Sequence, residues 1–264
     1  MKKVLFQFTI LVLLFFSSWL LLSQVNFMKH IHVDKINKIN EKRIGDLIME
    51  SVKRNHKEIE LSDSVNGVLT AIKDSICITN NIDPSEIQIH LFDEEVINAF
   101  TLPGQHMVVY TGLIKYCDGP DQLAGIMAHE IGHMQHSHIM KRLVKEIGIA
   151  TVLSLGGGNT ELLRKIVKTL SSTAFDRKQE SEADASAVED LNKSHIDPKG
   201  LADFLTKLSN ERIDMPKQLE WISTHPNSKD RAKEILRLKG NSSIAYHQVV
   251  GDTEWNILKR VSNN

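Results

Sequence analysis

His129-Glu130-Ile131-Gly132-His133 places two imidazoles four residues apart, with a carboxylate beside the first. On a helix, positions i and i+4 lie one turn apart on the same face. Two histidines so spaced reach one metal ion. The glutamate between them stands next to that ion without ligating it, where it can take a proton from water. The pattern reads as zinc-hydrolase chemistry, but it also occurs by chance, so its setting decides. Asp118-Gly119-Pro120-Asp121 supplies a helix start, with Pro120 suited to the first helical position. Leu123, Ile126, Met127, Ile131 and Met134 then recur at helical spacing. This predicts an amphipathic helix over roughly 120–140 with the motif inside it.

A catalytic zinc takes three protein ligands and keeps one position open. An extended motif with a third histidine would need Gly at the position of His136 and His at that of Ile139, and has neither. His136 and His138 are read as solvent-facing helix residues, the default for polar side chains. The segment from Asp176 to Asp184 is the better source of a ligand. Read as a helix, it puts Glu180, Ala183, Asp184, Ala187, Val188 and Leu191 on one face. Glu182 points away, with Gln179, Ser186 and Glu189. Two carboxylates on a packed face need a cation or hydrogen-bond donors. Glu180 is therefore expected as the third zinc ligand. Asp184 is expected to accept a hydrogen bond from a ligand histidine and fix its orientation.

With these residues in place, the chain resembles the gluzincin metallopeptidases of family forty-eight, the group with HtpX-like, BepA-like and CAAX-prenyl-protease-like enzymes. Ordered blocks carry the resemblance: Asn98-Ala99-Phe100-Thr101-Leu102-Pro103-Gly104, Thr111-Gly112-Leu113, His129 to His133, and Glu180 to Asp184 as Glu-x-x-Ala-Asp. Thr224-His225-Pro226 followed by Arg231 completes them. It spans roughly residues 41 to 260. Gln105 departs from it, standing where the family usually has a second Gly. The resemblance implies a zinc-dependent endopeptidase that cuts unfolded or misfolded envelope or membrane proteins. It also puts His225 and Arg231 near the site. His225 is the expected catalytic donor toward the oxyanion. Arg231 either shares that task or forms a salt bridge to a site carboxylate such as Asp184. The competing reading is a membrane-associated zinc-binding chaperone without proteolytic turnover. Glu130 speaks against it, because holding a metal requires no base.

The elements that must position these residues follow from periodicity. Helices are expected at 41–54 and about 63–77, a strand through Ile87, Ile89 and Leu91, and a hairpin of 98–102 and 107–111 around Pro103-Gly104-Gln105. Further helices start at Asp197-Pro198 and run from Ser228 to Leu238, closed by Gly240. The fold class is α+β and mostly helical, a zincin-type domain with a small antiparallel sheet beside the zinc-binding helices. Met107 to Thr111 is read as a strand edge on which an extended peptide could pair through its main chain. A second apolar patch, Ile147 to Leu155, ends in Gly156-Gly157-Gly158 and reads as a core or lid helix before a flexible loop.

The 264 residues suit one substantial domain plus a targeting segment. A net charge of −1 with scattered Lys and Arg gives no electrostatic case for nucleic acid. Lys2 and Lys3 precede an uncharged run from Val4 to Leu22, close to one bilayer core in length. Residues 1–23 are therefore read as a signal anchor in preference to a cleaved signal peptide, 24–40 as a linker and 41–264 as the metallopeptidase domain. The charges place the N-terminus inside and the catalytic domain outside the cytoplasm, on the periplasmic side of a bacterial envelope. Cleavage of the segment would release the domain to the periplasm. Cys77 and Cys117 are read as buried small hydrophobes.

Overall fold

Ile44, Ile48, Met49 and Val52 fall at helical spacing, and in the computed structural model they form the buried face of α1 (Lys38–Lys53). The structure describes residues 6–8, 10–12, 14–17, 38–148, 151–152, 160–210, 220–240 and 243–262. Residues 37–264 form one compact unit. In α2 (Asp63–Thr79) the same logic buries Val65, Val68, Leu69, Ile72 and Ile76. Among the described residues no helix is long and apolar enough to cross a membrane. Of the segment from Val4 to Leu22, residues 6–8, 10–12 and 14–17 are described and helical, whereas most of the 24–40 linker and the Gly156-Gly157-Gly158 loop lie outside the described residues.

Three strands follow: β1 (Gln88–Phe92), β2 (Ala99–Leu102) and β3 (His106–Tyr110). The hairpin forms as expected, with β2 antiparallel to β3 from Ala99↔Val109 to Leu102↔His106. Its turn holds Gly104 at φ 75° and Gln105 at φ 65°. The second of these left-handed positions is one that a glycine would fill without a Cβ penalty. The sheet as a whole is mixed, which corrects the antiparallel expectation. Its order is β1-β3-β2, and β1 runs parallel to β3 from Gln88↔His106 to Phe92↔Tyr110. The chain crosses from β1 past the place of β3 to build the outer strand β2, then folds back between the two. β3 is thus paired on both sides and wholly buried, so Met107 to Thr111 is not an edge. The edge strands are β1 and β2.

Next come α3 (Thr111–Tyr116) and α4 (Pro120–Gln135). The helix expected over 120–140 breaks early. Ser137 takes a left-handed φ of 52°, and α5 (His138–Ile147) starts in a new direction. Then follow α6 (Thr160–Ser172) and α7 (Arg177–Lys193), the latter opened by a capping box of Asp176 and Gln179. The remainder is α8 (Lys199–Asn210), α9 (Glu220–Thr224), α10 (Ser228–Lys239) and α11 (Asp252–Ser262). Gly240, at φ 62°, ends α10 where predicted. Cys77 and Cys117 are buried and unpaired, and burial pushes both thiols up to about 12.

What positions the site is the contact of α4 with α7. A Cβ added at Gly132 would stand 2.9 Å from the carbonyl oxygen of Ala183 and 3.1 Å from its Cα. The middle of His-Glu-x-x-His and the Ala of Glu-x-x-Ala-Asp are therefore pressed backbone to backbone. His129 meets Asp184 and His133 meets Glu180 across the seam.

Candidate metal centre

Across that seam α4 contributes His129, Glu130 and His133, and α7 contributes Glu180 and Asp184, all buried. The helical phase read for α7 holds: Glu180, Ala183, Asp184, Ala187, Val188 and Leu191 are its buried face, with Asp190 added. The Nε2 atoms of His129 and His133 lie 3.0 Å apart. Glu180 reaches them from α7, its Oε1 3.4 Å from His133 Nε2 and its Oε2 3.9 Å from His129 Nε2.

His225 enters from the end of α9. Its Nδ1 lies 3.0 Å from Glu180 Oε1 and 3.3 Å from His129 Nε2, and its ring stacks on Trp221 at 4.4 Å. Its Nε2 points at Glu130 Oε1, 3.5 Å away. Sequence reasoning expected this imidazole near the site but not among the converging donor atoms. The available signal was His-Pro, where Pro226 stops the helix and leaves His225 at its end, followed by Asn227 at a left-handed φ of 65°.

Arg231 settles between two carboxylates. Its Nε and Nη2 make paired bonds of 2.7 Å to Asp184 Oδ2 and Oδ1, and its Nη1 meets Glu180 Oε2. Of the two readings, the salt bridge to Asp184 is the one seen. Asp184 Oδ1 also lies 2.9 Å from His129 Nδ1. A carboxylate only accepts, so the His129 proton sits on Nδ1 and its Nε2 presents a bare lone pair to the centre.

The electrostatics are those of a dry, charged cluster. Burial alone would raise Glu180. The Arg231 charge and the hydrogen bonds from His133 and His225 outweigh it and hold the carboxyl well below its usual range. Asp184 is likewise held down by Arg231 against burial. Burial keeps His133 well below the ordinary histidine value and takes His225 to about 4. Glu130 goes the other way. Burial, then the Glu180 charge, push it up to about 8. Neither of its carboxylate oxygens makes a hydrogen bond among the described residues.

One expectation fails here. His138 is not solvent-facing but buried, its Nδ1 2.9 Å from His133 Nδ1. On an unbroken helix it would lie about 140° round from His133. The left-handed Ser137 turns it back. Glu182, read as pointing away, stands at the rim and meets His138 Nε2 at 3.2 Å. His136 is half-buried and bonded to Ser186 at 2.9 Å.

The donor set fits one metal ion. Ligand atoms of His129, His133, Glu180 and His225 lie within 4.8 Å of one another. Imidazole lone pairs facing each other at 3.0 Å repel unless a cation stands between them. Two imidazoles, a carboxylate and a third imidazole are a nitrogen and oxygen set of the kind zinc prefers.

Comparison with known proteins agrees. Residues 66–239 match the peptidase family M48 profile. The mitochondrial metalloendopeptidase OMA1 of Schizosaccharomyces pombe is 24% identical over 240 residues, covering 82% of this chain and 71% of that protein. The beta-barrel assembly-enhancing protease of Escherichia coli (strain K12) is 29% identical over 178 residues, covering 60% and 37%. OMA1 of Arabidopsis thaliana is 28% identical over 166 residues, covering 60% and 33%. The chain thus spans about a third of the length of the last two. The match to the family covers most of the chain and includes every block that builds the centre, so the chain belongs to peptidase family M48 and is a zinc metallopeptidase.

Proposed function

We propose that this chain is an endopeptidase of the cell envelope that hydrolyses unfolded or misfolded proteins, with His129, His133 and Glu180 holding its zinc. The chemistry such an ion supplies when bound is Lewis acidity toward a carbonyl oxygen and a water. Glu130 is the base: it takes the proton of the attacking water and delivers it to the leaving amine. Burial and the Glu180 charge raise its affinity for a proton, which suits a group that must take one up and then give it away. His225 is the donor for the carbonyl oxygen as charge develops there, through the Nδ1 proton that now faces Glu180 Oε1 at 3.0 Å and would be freed once that carboxylate holds the ion. Arg231 and Asp184 act as positioning residues. Their paired bonds hold the Asp184 carboxylate against His129 Nδ1.

The substrate lies along β2, the edge strand that pairs antiparallel to β3, where main-chain pairing reads backbone and tolerates varied sequence. A shallow cleft lies beside it, lined by His56, Asn98, Phe100, Tyr110 and Leu170, and reaches Thr224 next to His225. The envelope placement is supported by the apolar run from Val4 to Leu22 and by the similarity to beta-barrel assembly-enhancing proteases.

The observation that carries the reading is the unbonded carboxylate of Glu130 beside four converging metal donors. Glu130→Gln should keep about one zinc per chain and lose peptidase activity on an unfolded protein such as casein by about 10²–10⁴-fold. In cells, proteomics of the envelope fraction should find envelope proteins accumulating in the variant. Accumulation confined to cytoplasmic proteins would overturn the compartment. Unchanged cleavage by the variant would overturn the mechanism.

A further inference from the structure

The two motif histidines of α4 are supported differently. His129 gives its Nδ1 proton to the carboxylate of Asp184 directly. His133 faces another imidazole, with His138 Nδ1 at 2.9 Å. Between two imidazole nitrogens the donor is not obvious, and the third member of the row decides it. His138 Nε2 lies 3.2 Å from Glu182 Oε2. Glu182 stands at the rim as a carboxylate ion-paired to Lys178, its Oε1 3.4 Å from Lys178 Nζ. It only accepts, so the His138 proton sits on Nε2 and its Nδ1 carries the lone pair. The proton in the 2.9 Å contact then belongs to His133 Nδ1. That leaves the His133 Nε2 lone pair directed at the converging donors.

The packing holds this row in place. His138 is the first residue of α5, turned inward by the left-handed Ser137. Its ring stacks on His136 at 5.2 Å. The His133 ring stacks on Phe175 at 3.9 Å, and the Arg142 guanidinium lies 4.0 Å from the same phenyl ring. With its ring plane clamped by Phe175, His133 has the choice of tautomer left, and Glu182 makes it through His138.

We propose that His138 and Glu182 are positioning residues for the metal centre: Glu182 fixes the tautomer of His138, whose Nδ1 accepts the hydrogen bond of His133 Nδ1–H and leaves His133 Nε2 free to bind zinc. This rests on the reading of His133 as a zinc ligand. Partners of this kind, one bond removed from a metal, typically change affinity by 10–100-fold when removed.

The test uses the full chain and measures zinc affinity by chelator competition, with the visible spectrum of the cobalt-substituted protein beside it. His138→Ala should weaken zinc binding about 10–100-fold and shift the cobalt bands. His138→Asn sets an amide oxygen near the former Nδ1 and accepts the same proton, so it should recover most of that loss. Glu182→Gln should weaken binding several-fold in the wild-type background and have no effect in the His138→Asn background, because Glu182 acts only through the His138 ring. Equal affinity of wild type and His138→Ala would overturn the proposal. So would an Asn variant as poor as Ala, which would mean that ring packing alone matters. A Glu182→Gln effect of the same size in both backgrounds would do so too. Should His138→Ala fail to fold, the Glu182→Gln pair of measurements decides. His133→Ala separates the two ideas: loss of zinc there with none in the His138 and Glu182 variants defeats the relay alone. Retention of full affinity in His133→Ala defeats the ligand reading, and the relay with it.

Discussion

The molecule contains two sets of buried histidines flanked by carboxylates, and their residue types are nearly the same. At the seam of α4 and α7, His129, His133 and His225 meet Glu180, Asp184 and Glu130. On the sheet, His90 of β1 and His106 of β3 meet Glu58 and Asp46. In that second set Glu58 Oε1 lies 2.7 Å from His90 Nδ1, His90 Nε2 lies 3.0 Å from His106 Nδ1, and His106 Nε2 lies 3.0 Å from Asp46 Oδ1. The sheet set is a line in which each ring nitrogen has one partner. The seam set is a convergence in which several nitrogens and a carboxylate share one point. Only the second can grip an ion. Composition does not separate them; the difference is made by parallel strand register on one side and a glycine-to-alanine helix contact on the other.

The sharpest way to break the convergence is to remove its one anionic donor. Glu180→Ala leaves the imidazoles in place but takes away the charge that balances a dication. Zinc affinity should fall by more than the roughly 10–100-fold that a partner one bond further out costs, and peptidase activity should vanish with it. Metal analysis after dialysis at low free zinc checks this. Retention of one zinc per chain would remove Glu180 from the ligand set.

A subtler break moves no donor atom chemically. Gly132→Ala puts a methyl group into the Ala183 backbone, 2.9 Å from its carbonyl oxygen. Backbone cannot rotate aside as a side chain can, so α4 and α7 must part by a few tenths of an ångström. The expected cost is about 1–3 kcal/mol of stability, with weaker zinc binding although every ligand remains. Urea denaturation with and without zinc measures both. A fully stable variant with unchanged zinc affinity would show that the close contact does not set the site's geometry.

Much of this centre was legible in the chain because it is local and periodic. The i, i+4 spacing fixes which face of α4 carries the histidines, and the buried phase of α7 picks Glu180 and Asp184 over Glu182. Small residues at Gly132 and Ala183, on the faces that must meet, were a further signal. The missed features depend on single backbone angles or on long-range pairing. His138 faces inward because Ser137 is left-handed, and serine gives no warning of that where a glycine or asparagine would. The antiparallel hairpin was readable from its turn. The parallel β1–β3 register was not, since it joins segments that share no turn and is settled by packing. His225 arrives ninety-six residues after His129, from a helix end whose direction the local sequence does not state.

The line of histidines on the sheet offers the smallest and most discriminating change. His106→Ala leaves His90 Nε2 and Asp46 without their shared partner, at a cost of about 1–3 kcal/mol for a buried polar group left unpaired. Zinc content and peptidase activity at neutral pH should be unchanged, because no atom of this line joins the converging donors. The pH dependence should change as well. Burial, the largest influence on each ring, holds both His90 and His106 below the ordinary histidine value, although Glu58 and Asp46 pull the other way. Below about pH 6.5 the unfolded chain takes up protons on these rings that the folded chain resists. Their contribution is therefore complete above the unfolded value and is lost as pH falls through the depressed folded values. Thermal melts of wild type from pH 8 to pH 5 should show stability declining across that window, and in His106→Ala the decline should be shallower. A variant with the full wild-type slope would mean that the acid sensitivity lies elsewhere, and a variant that loses zinc would mean that the two sets of histidines are coupled through the sheet.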